Sequence, residues 1–222
     1  KLYNALELVV SSEANETSTG KIIIDNEKVL NQVQKNLALY DKKGEQHYDI
    51  ISAFIKSLRG SDPNAAVYWL ARMAEGGEDP KFIARRMLIL AAEDIGLANP
   101  NALLLAQACF EAVNVIGWPE SRIILSEAAI YLATSPKSNS SYMAIDEAIA
   151  KVRSEGDLPV PLHIRNAPTR LMKDLGYGKE YKYAHSYTGS FITGNFLPEE
   201  LIGTVFYDPG SNAREEEIRK RL

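Results

Sequence analysis

Ser61-Asp62-Pro63-Asn64-Ala65-Ala66-Val67-Tyr68-Trp69-Leu70-Ala71-Arg72-Met73-Ala74-Glu75-Gly76-Gly77, followed by Glu78-Asp79-Pro80, sets the reading of the whole chain. Ser61 or Asp62 is placed to cap a helix that carries Pro63 in its first turn. Val67, Tyr68, Leu70 and Ala71 recur at helical spacing, and Gly76-Gly77 stops the pattern. Asp79-Pro80 then repeats the start signal. Its helix runs through Ile83, Met87, Leu90 and Ala91 to Gly96.

The same punctuation extends in both directions. Upstream, Tyr48, Ile51, Ile55 and Leu58 share a face that Ile50 and Phe54 widen, and Gly60 ends it. Downstream, Asn99-Pro100 opens a helix ending at Gly117, and Trp118-Pro119-Glu120 opens one ending at Ser135-Pro136. A sixth runs from Asn139 to Arg153 with Met143, Ala144, Ile145, Ala148 and Val152 inside. Residues 154–166 hold Gly156, Pro159 and Pro161 and break the cadence. A short helix follows at about Pro168 to Leu175, then an irregular strap to about Leu197, one helical turn at Pro198-Glu199-Glu200, an extended Thr204 to Tyr207, and a terminal helix from Ala213. At the other end, residues 1–13 read as the end of a helix, 14–20 as a polar loop and Lys21 to Ile24 as a short strand. Asp25 or Asn26 caps a helix to about Gln34. The expectation is a mostly α protein: a small N-terminal piece over residues 1–40 and a helical domain over 45–222. No repeated signature links the helix pairs, which favours one bundle over a solenoid.

The 222 residues are 45% apolar and 24% charged, enough to form a core without metal or disulfide staples. Cys109 is the only cysteine, so no intrachain disulfide is possible, and its apolar surroundings suggest a buried structural thiol. One cysteine and no secretory segment point to a reducing, cytoplasmic setting. The longest clear apolar run, Met87 to Ala92, is far short of the roughly 20 residues that span a bilayer, so no membrane partner is expected. A net charge of −4 gives the chain as a whole no attraction for nucleic acid. Both ends fall inside amphipathic patterns, so a piece of a longer chain is expected.

Phosphate-loop, H-E-x-x-H, C-x-x-C and G-x-S-x-G motifs are absent, and His47, His163 and His185 form no metal-ligand spacing. No catalytic residue, metal site or cofactor site is expected. Three other stretches stand out. Arg85 and Arg86 lie near the start of their helix, and Glu93 and Asp94 near its end. This opposes the macrodipole and suggests partners across helices or subunits; the alternative is that these charges are solvated or locally paired. From Pro161 to Tyr187, five cations (Arg165, Arg170, Lys173, Lys179, Lys182) outnumber two acids, with Tyr177, Tyr181, Tyr183 and Tyr187 interleaved. Cations can neutralise phosphate and exposed tyrosine can stack on unpaired bases. The alternative is that the tyrosines anchor the strap to the helices while the cations stay wet. In either case Leu162, Ile164, Leu171, Met172 and Leu175 are expected to pack inward. The third stretch, Ala133 to Ser140, is a helix stop and restart, capped by Ser138 or Asn139, with Lys137 as a candidate contact.

These stretches carry a resemblance. Tyr48 to Ala53, Lys56 to Ser61, Asp62 to Arg72, Arg85-Arg86 through Glu93-Asp94-Ile95-Gly96, and Ser135-Pro136-Lys137-Ser138-Asn139 resemble the RarA/MgsA family of replication-associated AAA+ ATPases. The most specific match is His163-Ile164-Arg165-Asn166-Ala167-Pro168-Thr169 with Leu171-Met172-Lys173 and Gly176-Tyr177-Gly178. The resemblance weakens in residues 13–30 and after about residue 188. Relatives include the Werner helicase-interacting protein.

The resemblance implies a C-terminal helical region similar to the clamp-loader collar, preceded by a remnant of the AAA+ lid. Leu2 to Glu7 resembles the sensor-2 helix just past its nucleotide-sensing arginine. It further implies ATP and Mg²⁺ in the parent protein but not in this piece, homotetramers formed through this region, and action on DNA at stalled forks. The expected partners are the chain itself, DNA with single-stranded character, and replication proteins such as single-stranded DNA-binding protein; the expected location is the cytoplasm, at the nucleoid. Candidate nucleic-acid contacts are Lys137, His163, Arg165, Arg170, Lys173, Tyr177, Lys179, Tyr181 and Lys182. Candidate interface residues are Arg85, Arg86, Glu93 and Asp94. A free-standing enzyme with a pocket at His163 and Arg165 is the remaining, disfavoured reading.

Overall fold

The computed structural model describes residues 45–222. The expected lid remnant, with its helices and strand within residues 1–40, lies outside the described residues. Those described are helical and contain no strand, so Thr204 to Tyr207 joins no ladder. They fall into two compact units: residues 45–139 with 210–222, and residues 140–209.

In the first unit, α1 (Glu45–Arg59), α2 (Pro63–Glu75), α3 (Pro80–Leu90), α4 (Asn101–Ile116) and α5 (Ser121–Thr134) form a bundle, and α8 (Ala213–Arg221) packs at the Gly96–Ala98 turn. The start signals act as the sequence suggests. The Asp62 carboxylate accepts from the Ala65 amide at 2.9 Å, and Asp79 accepts from the Lys81 amide at 2.9 Å. Each satisfies one orphan donor of a helix whose first turn holds a proline. Helix α5 touches α1, α2, α3 and α4, so its Leu125, Ala128, Ala129, Leu132 and Ala133 are buried at the centre, with Phe54, Leu58, Met87 and Leu90 in the same core. Leu132→Ala is expected to cost about 2–5 kcal/mol in a denaturant titration, because the bundle can only partly close on the cavity.

Cys109 is buried, its thiol 3.9 Å from the Ile124 carbonyl. Burial, reinforced by the charge of Glu127, pushes its pKa up to about 11. The folded state therefore holds this proton more tightly than the unfolded chain, whose thiol titrates near 9.0. The resulting stability is complete below pH 9 and is lost as pH rises towards 11. Melts of Cys109→Ala across that window should decline less steeply than those of the parent chain.

The structure corrects three expectations. Helix α3 does not continue regularly to Gly96: residues Ala91–Ile95 form a π turn and Gly96–Ala98 a 3₁₀ turn, with Gly96 at φ 48°. The widened turn goes with contacts from outside the helix, since Arg59 holds the Asp94 carboxylate and the Ser138 amide donates to the Asp94 carbonyl at 2.8 Å. On α6 (Ser140–Glu155), Met143, Ile145 and Val152 are exposed rather than inside; the half-buried side carries Ala144, Ala148 and Lys151. In the strap, Leu162, Leu171 and Leu175 are exposed, and only Ile164 and Met172 are half-buried. Backbone hydrogen bonds and not apolar burial give this segment its shape, among them Gly178 N–H to Leu162 O at 2.9 Å and Tyr177 N–H to Met172 O at 3.0 Å.

Candidate interaction surfaces

The second unit holds the basic strap. Thr169 caps the five-residue helix α7 (Arg170–Asp174), its hydroxyl accepting from the Met172 amide at 3.3 Å. Arg165 is committed to this local structure. Its Nε donates to the Val160 carbonyl at 2.6 Å, one terminal nitrogen donates to the Tyr177 hydroxyl at 3.1 Å, and the guanidinium lies 5.1 Å from the Tyr177 ring centre. Gly178 follows directly at φ 70°, where an added Cβ would come within 3.3 Å of the Arg165 carbonyl. His163 is also engaged: its Nε2–H donates to the Asn195 carbonyl at 2.9 Å, with the Phe196 ring beside it. Arg165, Tyr177 and His163 thus brace the strap.

Arg170, Lys173, Lys179, Tyr181 and Lys182 are instead exposed. So are Tyr183, Tyr187, Phe191 and Phe196. Sequence reasoning left these four aromatics out of the site, although Tyr183 and Tyr187 lay in the segment it singled out. Two open grooves border the brace. One of about 580 Å³ runs past Val160, Leu162, His163, Arg165 and Lys179. The other, of about 520 Å³, passes His163, Arg165, Tyr181 and Phe196. Among the described residues, no group of three or more His, Cys, Asp or Glu side chains could hold a metal ion.

Lys137 belongs to the first unit and is half-buried. Its ammonium donates to the carbonyls of Leu132 (3.1 Å), Ala133 (2.9 Å) and Ser135 (2.7 Å) and to the Ser61 hydroxyl (3.0 Å). It closes the C-terminus of α5, where carbonyls lack helical donors and the dipole favours a cation. Burial lowers its pKa, opposed by the charge of Asp94. Its three protons face four acceptors inside the chain.

Glu93 and Asp94 also find a partner within the chain. Arg59, at the end of α1, donates from Nε to Asp94 at 2.6 Å and from a terminal nitrogen at 3.2 Å, and it reaches Glu93 at 3.5 Å. The hydrogen bond to Asp94 and the two carboxylates raise the Arg59 pKa. This pair accounts for acids placed against the dipole at the end of α3. Arg59 escaped sequence reasoning because 35 residues separate it from Asp94. Arg85 is exposed and Arg86 half-buried. The Arg86 Nε is enclosed with no hydrogen-bond acceptor, and neither arginine meets a carboxylate among the described residues.

Residues 1–59 match the AAA C-terminal domain family, and residues 60–222 match the family described as MgsA AAA+ ATPase C terminal. The chain belongs to this MgsA C-terminal family. It is 44% identical to Replication-associated recombination protein A of Coxiella burnetii over 220 residues, covering 99% of this chain and 50% of that protein. Against the protein of the same name in Escherichia coli K12 it is 40% identical over 223 residues, covering 100% and 50%. ATPase WRNIP1 of Dictyostelium discoideum is 44% identical over 191 residues, covering 84% of this chain and 22% of that protein. The chain spans about half the length of the bacterial relatives. No described helix is long and apolar enough to cross a membrane.

Proposed function

We propose that this chain is the oligomerisation region, a homotetrameric collar, of a AAA+ ATPase that acts in replication-fork maintenance and recombination in the cytoplasm, at the nucleoid. The observation that carries the reading is apolar side chains left in solvent on two adjacent helices of the first unit. On α4, Leu104 is 69% and Val115 83% exposed; on α5, Ile123 is 58% and Ile130 45% exposed. Large apolar side chains left in solvent support an association surface on these helices. Arg85 and Arg86, without carboxylate partners among the described residues, are further candidates for contacts between subunits. ATP and Mg²⁺ are assigned to the parent protein's ATPase module, since no phosphate loop occurs in these 222 residues. The test is the solution mass of this chain across a concentration series.

A second reading, compatible with the first, is that the strap contacts single-stranded DNA. Its support is the exposure of Tyr181, Tyr183, Tyr187 and Phe191 close in sequence to exposed Lys173, Lys179 and Lys182. Aromatic faces stack on bases while the cations neutralise phosphates. Four collars in one assembly would multiply weak contacts. Replication proteins such as single-stranded DNA-binding protein are expected partners of the same assembly.

A further inference from the structure

Four of the exposed apolar side chains on α6 follow one spacing; Met143, 42% exposed, lies off it. Tyr142, Ile145, Ile149 and Val152 succeed one another at intervals of three, four and three residues, which places them in a single stripe. They are 41, 55, 39 and 59% exposed. The helix has 16 residues, so the stripe runs along a rod of about 24 Å. The adjoining flank of α6 faces its own unit: Ala144, Ala148 and Lys151 are half-buried, and the C-terminal half, with Val152 at the edge, borders Leu197, Leu201 and Phe206.

Charge beside the stripe says what fits it. Asp146 and Arg153 each follow a stripe residue directly, Ile145 and Val152, and lie seven residues apart on the same side. Neither makes an ion pair with another described residue; Lys151 pairs instead with Glu155 at 2.8 Å. The helix dipole favours acid early and base late, but it does not require either charge to flank the apolar row.

We propose that a second copy of this chain lies antiparallel along the stripe, related by a two-fold axis. In that arrangement Asp146 of each copy meets the partner's Arg153, and the pair forms twice. A parallel mate would set Asp146 against the partner's Asp146. The proposal rests on the collar reading and locates one of its two-fold contacts.

The test uses light scattering on the 222-residue chain, with thermal melts to show that each variant is folded. Asp146→Arg alone and Arg153→Asp alone each place like charges across the contact in both halves. Each is expected to raise the concentration of half-dissociation about tenfold or more. Mixed in equal amounts, the two variants oppose unlike charges again, so association should recover; the double variant should recover by itself. If the parent chain assembles and both single variants assemble equally well, the stripe is not the contact and the collar reading survives. Weakened single variants with no recovery on mixing would refute the antiparallel arrangement. A parent chain that stays monomeric would overturn both.

Discussion

Lys137→Met is expected to lower the unfolding free energy of this chain by about 2–3 kcal/mol, with the melting midpoint falling by about 5–10 °C. Methionine keeps much of the aliphatic stem, so packing changes little. What disappears is the ammonium that satisfies the carbonyls of Leu132, Ala133 and Ser135 together with the Ser61 hydroxyl. Leu132, Ala133 and Ser135 are buried, so water cannot easily replace the lost donor at the end of the central helix. Lys137→Arg should recover only part of the loss, because a planar guanidinium does not converge on this cluster as a compact ammonium does. An unchanged midpoint for Lys137→Met would show that the cap adds nothing to stability. If the same variant weakened DNA binding with no effect on stability, Lys137 would return to the phosphate contacts.

Replacing Arg170, Lys173, Lys179 and Lys182 together by Gln should reduce affinity for single-stranded DNA by about 100-fold near 0.1 M salt. The slope of log affinity against log salt should fall by about 0.7 for each phosphate contact removed. Tyr181→Ala should cost a further 1–3 kcal/mol, roughly the value of one base stacked on an aromatic ring. Arg165→Gln and Tyr177→Phe give the contrasting result. Both side chains hold the strap to itself, so these variants should speed protease cleavage of the strap and leave the salt slope unchanged. Fluorescence anisotropy with a labelled oligonucleotide over a salt series reads both predictions. Equal binding by the parent chain and the fourfold variant would remove the strap as a DNA contact.

Most of the helical frame was legible in the sequence because its punctuation is local. Asp62-Pro63 and Asp79-Pro80 cap helices within three residues of themselves, and Gly76 and Gly117 end helices where they stand. Features that depend on distant partners were not legible. The π turn goes with a bond from Arg59, 35 residues away, and the role of Lys137 includes Ser61, 76 residues away. In the strap, apolar content was a poor guide to burial. Leu162, Leu171 and Leu175 stay exposed because local hydrogen bonds and the Arg165–Tyr177 brace set the segment's shape. The same structure separates Arg165 and Tyr177, which are committed, from Lys179, Tyr181 and Lys182, which face solvent. Spacing alone could not divide them.

The most direct test of the collar is the mass of this 222-residue chain in solution, read by light scattering from low to high micromolar concentration. The collar reading predicts a species near four times the 24.6 kDa chain mass, with the tetramer fraction rising with concentration. A mass that stays at one chain over the whole series would contradict it.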